Sequence, residues 1–105
     1  WAIYEAEGNS TTYSRIFIKS ATTAGTGKAY YSTGAISVNL VSGKKYIFAI
    51  GWSGTTKVYY GHDTALVGFG EAVNAHSLGS PSMAESLTNP AKYDIIFNQQ
   101  IKFVE

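Results

Sequence analysis

The sequence contains no cysteine, and that single absence removes a disulfide framework, thiolate metal centres and thiol nucleophiles together. It assigns no compartment, since a secreted chain can rely on a packed core alone. Charge is also scarce: Lys plus Arg number 8 against 7 for Asp plus Glu, a formal net charge of +1. That balance offers no concentrated basic surface, so nucleic acid and anionic membranes are not expected partners. No apolar run approaches the roughly 18 to 20 residues that a helix needs to cross a bilayer, so membrane insertion is not expected. There is no internal repeat and no low-complexity tract, and residues 1–105 read as a single domain.

What is present is enough to build a core. Of the 105 residues, 45% are hydrophobic and 14% aromatic, which suits one ordinary domain and argues against disorder. Low charge, abundant Gly, Ser and Thr, and 8 tyrosines give the composition of an extracellular or cell-surface β-protein.

The period of the apolar residues sets the class. Tyr13-Ser14-Arg15-Ile16-Phe17-Ile18-Lys19 alternates, which predicts a strand with Ile16 and Ile18 inward and Tyr13, Arg15, Phe17 and Lys19 outward. Ala35 to Leu40 repeats the pattern with Ile36, Val38 and Leu40 inward, and Ser42-Gly43 supplies a turn. In Lys44 to Trp52 neither face is polar: Tyr46, Phe48, Ile50 and Trp52 fall on one side, Ile47, Ala49 and Gly51 on the other. This stretch reads as a central strand covered on both faces, with Ala49 and Gly51 allowing close approach. Ser53-Gly54-Thr55 then turns the chain into Thr56 to Tyr60 to make a hairpin.

Glycine-bearing turns punctuate the rest. Gly8-Asn9-Ser10-Thr11 separates the first two strands, and Ala24-Gly25-Thr26-Gly27 separates the second from Lys28 to Tyr31. Turn signals spaced at roughly 8 to 12 residues are those of a sandwich or barrel. Beyond His62 the pattern weakens: Val67 to Glu71 is a short strand broken by glycine, and Leu78 to Pro90 reads as a long loop in which Met83 to Leu87 forms at most one helical turn. Trp1 to Glu7 and Ile101 to Glu105 are both strand-like, so the expectation is an incomplete domain, lacking N-terminal strands, cut from a longer chain.

No constellation carries chemistry. Gly25-Thr26-Gly27-Lys28 lacks the earlier glycine of a phosphate-binding loop, where Thr22 stands, and the following hydroxyl, where Ala29 stands. His62, Asp63, Glu71 and His76 match no tight metal-ligand spacing, although calcium would accept oxygen ligands at irregular intervals. The Gly-x-Ser-x-Gly nucleophile turn is absent, and Glu5 and Glu7 share one strand while the other acids are scattered. The chain therefore reads as non-catalytic, with no cofactor and no metal.

The aromatics say more. Outward rings beside polar groups stack on sugars or anchor a protein, although tyrosine also simply suits strands and a covered face would look the same. Trp52, Tyr59, Tyr60 and His62, near the end of one hairpin, are the candidate ligand-binding residues. Asn9-Ser10-Thr11 also satisfies the N-glycosylation pattern, in a turn that favours Asn and Ser in any case.

Trp1-Ala2-Ile3-Tyr4-Glu5, then Gly27-Lys28-Ala29-Tyr30-Tyr31-Ser32-Thr33-Gly34, then Leu40 to Trp52 with its Ser42-Gly43-Lys44-Lys45-Tyr46 turn, resembles accessory jelly-roll domains of secreted bacterial and archaeal proteins. The resemblance covers about the first two-thirds of the chain and stops after Gly70. It implies an all-β, antiparallel, jelly-roll-like β-sandwich that is non-catalytic, with further strands before Trp1; it carries over no binding residues. The expectation is a secreted or cell-surface accessory module for binding or adhesion, with carbohydrate as the favoured ligand. The alternative is a structural or assembly domain that packs on a partner domain or on copies of itself.

Overall fold

Alternating side chains between glycine-bearing turns produce antiparallel sheet over most of the described chain. The computed structural model describes residues 1–19, 32–51, 60–61, 65–67, 70–72, 75–77, 83–93 and 96–97, with side-chain surroundings within 1–19, 32–51 and 83–90. Among them there is no helix, and the described part of the chain is mostly antiparallel β-sheet.

The main unit is a four-stranded sheet built from β1 (Ala2–Ala6), β2 (Thr12–Ile18), β3 (Lys45–Ala49) and β8 (Ser86–Thr88), in the order β3-β1-β2-β8. Every pairing in it is antiparallel. Six shorter strands make three two-stranded pairs: β4 (Tyr60–Gly61) with β10 (Ile96–Phe97), β5 (Ala65–Val67) with β6 (Gly70–Ala72), and β7 (Ala75–Ser77) with β9 (Ala91–Tyr93). The single glycine-broken strand expected at Val67 to Glu71 is instead divided between β5 and β6, which pair antiparallel with Val67 opposite Gly70.

The turns fall where their residues place them. The Ser10 N–H donates to the Glu7 carbonyl at 2.9 Å, closing the turn between β1 and β2. Before β3, the Lys44 N–H donates to the Val41 carbonyl at 3.3 Å around Gly43, whose φ is 86°. A third turn position with positive φ selects glycine, because a Cβ there crowds the following carbonyl. The two turns touch: a Cβ on Gly8 would lie 3.0 Å from the Gly43 carbonyl oxygen.

Register decides which faces are covered. Ala2 faces Ile18 and Ala49, Ile3 faces Phe17 and Phe48, and Tyr4 faces Arg15 and Ile47. Cross-strand partners share a face, so Ala2, Tyr4, Ala49 and Ile47 line one side and Ile3, Phe17 and Phe48 the other. The core gathers on the first side, where Ala2, Tyr4, Ala6, Tyr13 and Ala49 are buried and Ile47, Met83 and Leu87 pack against them. The small alanines leave room around the Tyr4 ring, which is 0% exposed. Ile3 is also buried, so β1 is the strand covered on both faces.

Four expectations change. Between Ile3 and Tyr4 the register shifts, and Ile16 is the residue of β2 left without a partner in β1. Such a bulge interrupts the alternation, sending Tyr13 and Arg15 to the Tyr4 side and Phe17 to the Ile3 side. Tyr13, on the core side, is buried at 8%, whereas Ile16 at the bulge is 41% exposed and Ile18, the last residue of β2, is 52% exposed, the reverse of the inward and outward sets read from alternation alone.

Secondly, the central place in the sheet belongs to β1; among the described strands β3 lies at the end. Thirdly, residues 35–40 form no strand, and Ile36 is 41% exposed. Both edges of β1 are taken by β2 and β3, so the segment does not join the sheet beside that central strand. Fourthly, the expected turn of helix at Met83 to Leu87 gives way to β8, which pairs Thr88, Leu87 and Ser86 with Thr12, Tyr13 and Ser14. The free edge of β2 outcompetes local helix formation, whose first turn is costly to nucleate alone.

The strand expected at Lys28 to Tyr31, the turn and return strand of the Lys44 to Tyr60 hairpin up to residue 59, and the strand at Ile101 to Glu105 lie outside the described residues.

Candidate functional site

Of the four candidate ligand-binding residues, Trp52, Tyr59 and His62 lie outside the described residues. Tyr60 lies in β4, its backbone facing Phe97 of β10. The acid and histidine set considered for metal or proton transfer is divided: Glu71 stands in β6 opposite Leu66, His76 in β7 opposite Lys92, and His62 and Asp63 are outside. Gly25 to Lys28 is outside as well. No group of three or more His, Cys, Asp or Glu that could hold a metal occurs among the described residues, and no helix long and apolar enough to cross a membrane occurs among them.

The clearest polar constellation in the described structure is one that sequence reasoning passed over. Lys44 Nζ, in the turn before β3, donates to Glu5 Oε1 at 2.7 Å and lies 3.1 Å from Glu7 Oε1. Tyr46 Oη donates to Glu5 Oε2 at 2.9 Å and accepts the Val41 N–H at 2.7 Å. Alternation puts Glu5 and Glu7 on one side of their strand, and β3 pairing brings Tyr46 opposite Glu5. The signal was therefore in the Glu-x-Glu spacing, but the partner lies 39 residues away.

Electrostatics in this cluster favour permanent charge. The Lys44 ammonium and then the Tyr46 hydroxyl hold the Glu5 carboxyl below its ordinary value. Hydrogen bonds to Glu5 and then Glu7 push Lys44 up to about 12. Tyr46 is raised, first by burial and also by its bond to Glu5, against the lowering effect of the Val41 N–H. Proton transfer near neutral pH needs groups moved toward neutrality, whereas Glu5 and Lys44 move away from it. The arrangement acts as a clamp that fixes the 41–44 turn against β1.

Other cationic side chains are engaged in the same way. Arg15 donates to the Met83 carbonyl, Lys19 to the Thr33 carbonyl, and Lys45 to the Ser10 carbonyl at 2.6 Å while its ammonium sits 5.6 Å from the centre of the Tyr13 ring. The large hydrophobic side chains that β2 and the approach to β3 leave in solvent are aliphatic: Ile16, Ile18, Ile36 and Val41, each between 41% and 52% exposed. Two of the rings thought to face outward on β2 are withdrawn, Tyr13 fully and Phe17 in part.

Comparison of the chain with protein-family models, with curated proteins and with solved structures yields no significant match to any of them.

Proposed function

We propose that the chain is a non-catalytic accessory module, secreted or displayed at a cell surface, whose antiparallel strands complete a jelly-roll-like β-sandwich and which works by binding. One observation carries this reading. The charged groups of the main sheet that could do chemistry are engaged in holding its turns and edges, while aliphatic side chains are left facing solvent. A surface of that kind binds by excluding water from apolar area rather than by transferring protons.

Carbohydrate is the ligand class of the leading version, with Trp52, Tyr59, Tyr60 and His62 supplying the stacking platform, because sugar rings present apolar faces that aromatic rings cover. Screening on a glycan array and by polysaccharide pull-down tests it. Retention by one glycan class, weakened by Tyr59→Ala and Trp52→Ala, is the expected result; no retention of the folded chain would overturn it.

A second version is favoured by the exposed isoleucines. Ile16 and Ile18 stand on β2 without the aromatic character that sugars prefer, and aliphatic area of this kind suits a protein surface. In that version the module packs on a partner domain or on copies of itself. Light scattering coupled to size exclusion separates the versions: a dimer dispersed by Ile18→Lys supports packing, and a monomer at all concentrations removes self-association.

A further inference from the structure

The turn between β1 and β2 holds the triplet Asn9-Ser10-Thr11, the one Asn-x-Ser/Thr sequence with x other than proline in the chain. Its three polar side chains are used unequally. Ser10 is half-buried and serves the turn: its Oγ accepts the Thr12 N–H at 3.1 Å, and its carbonyl accepts Lys45. Asn9 and Thr11 are exposed, and neither the Asn9 amide nor the Thr11 hydroxyl makes a hydrogen bond among the described residues. The next threonine differs, since Thr12 Oγ1 lies 3.5 Å from Thr88 Oγ1.

A turn made only for folding accounts for Gly8, where an added Cβ would crowd the Gly43 carbonyl, and for Ser10. Such a turn also favours asparagine at position 9, but it uses neither the Asn9 carboxamide nor the Thr11 hydroxyl two residues later, which make no hydrogen bond among the described residues. These are the two groups an N-glycosylation acceptor requires. The backbone around them is tied down on its inner side, by Lys45 at Ser10 and by the Asn89 N–H on the Thr11 carbonyl at 2.9 Å. A bulky group on Asn9 would therefore project into solvent without displacing a contact.

We propose that Asn9 is an N-glycosylation acceptor, with Thr11 as the hydroxyl that its transferase reads. This rests on the extracellular reading above, because the transfer occurs during export. The donor is an oligosaccharide joined through its anomeric carbon to a lipid pyrophosphate. Asn9 Nδ2 forms a bond to that carbon and gives up one proton, while the bond from the anomeric carbon to the pyrophosphate oxygen breaks and the lipid pyrophosphate leaves with the electron pair.

The test is translation of the full chain, behind an export signal, in the presence of microsomes, with the protease-protected fraction taken as the translocated chain. The expected result is an upward gel shift that peptide N-glycosidase removes, leaving aspartate at position 9 by mass spectrometry. Asn9→Gln and Thr11→Ala lose the shift and Thr11→Ser keeps it. Protected chain without a shift, or a shift that survives Asn9→Gln, overturns the acceptor. Because the added signal delivers the chain wherever it naturally resides, that outcome leaves the extracellular reading standing. Native chain recovered only from the cytosol overturns the extracellular reading, and with it modification in the cell. Melting curves of modified and unmodified chain should coincide; a lower midpoint for the modified chain would contradict the solvent-facing placement of Asn9.

Discussion

The hydroxyl of Tyr4, at the centre of β1, donates to the carbonyl of Ala84 at 2.8 Å across 80 residues of sequence. The Tyr4 side chain is fully buried, and this bond and the Arg15 bond to Met83 hold the segment leading into β8 over the core. Burial raises the Tyr4 pKa, an effect that the nearby Arg15 charge partly offsets.

Tyr4→Phe should therefore destabilise the chain while keeping its ring in place. Ala84 is exposed and its carbonyl can turn to water, so the expected cost is that of one net hydrogen bond, about 1 kcal/mol. Urea unfolding should show a lower midpoint with unchanged slope. Amide exchange should quicken at Arg15 and Asn89, whose N–H groups tie residues 85 and 89 to β2 and its approach.

The Glu5 clamp predicts a pH profile of stability. Glu5 has a lowered pKa in the folded chain, so its contribution is complete above the ordinary value of 4.5 and is lost as pH falls through the folded value. Lys44 is raised, so its contribution is complete below 10.5 and is lost as pH rises toward about 12. Tyr46 and Tyr4 are also raised and add to the alkaline fall. In denaturant titrations Glu5→Gln should flatten the acid limb, and Lys44→Met should weaken the alkaline limb while leaving the Tyr4 part. An acid limb unchanged in Glu5→Gln would show that the clamp contributes nothing to pH stability.

Gly43 tests the turn by itself. With φ at 86° and nothing within 4 Å of an added Cβ, substitution there meets backbone strain and no steric clash. Gly43→Ala should cost about 1–2 kcal/mol. Gly43→Asn should cost less, since asparagine tolerates this conformation better, and equal losses would point to packing instead of backbone.

Among the described residues, Ile18 is the most exposed of the large apolar side chains, at 52%. Ile18→Lys should change monomer stability by no more than about 0.5 kcal/mol, as surface substitutions do. A larger loss in the thermal melt of a monomeric sample would mean that Ile18 is covered in solution.

Local signals determined much of the architecture. Antiparallel β structure, the turns at Gly8 to Ser10 and Val41 to Lys44, and the positions of β1, β2 and β3 were legible because alternation and glycine placement act over a few neighbouring residues. Tertiary structure decided the rest. The bulge at Ile16 belongs to a pairing between two strands, and that pairing, not alternation along β2, put Tyr13 on the buried face. Residues 86–88 became a strand because the edge of β2 was open to them, not because of their own propensity. Glu5, an unremarkable acid in its own segment, acquired its lowered pKa only when β3 and the turn before it brought Tyr46 and Lys44 alongside. Charge pairing and register depend on distance in space, which a linear sequence encodes only through the fold it produces.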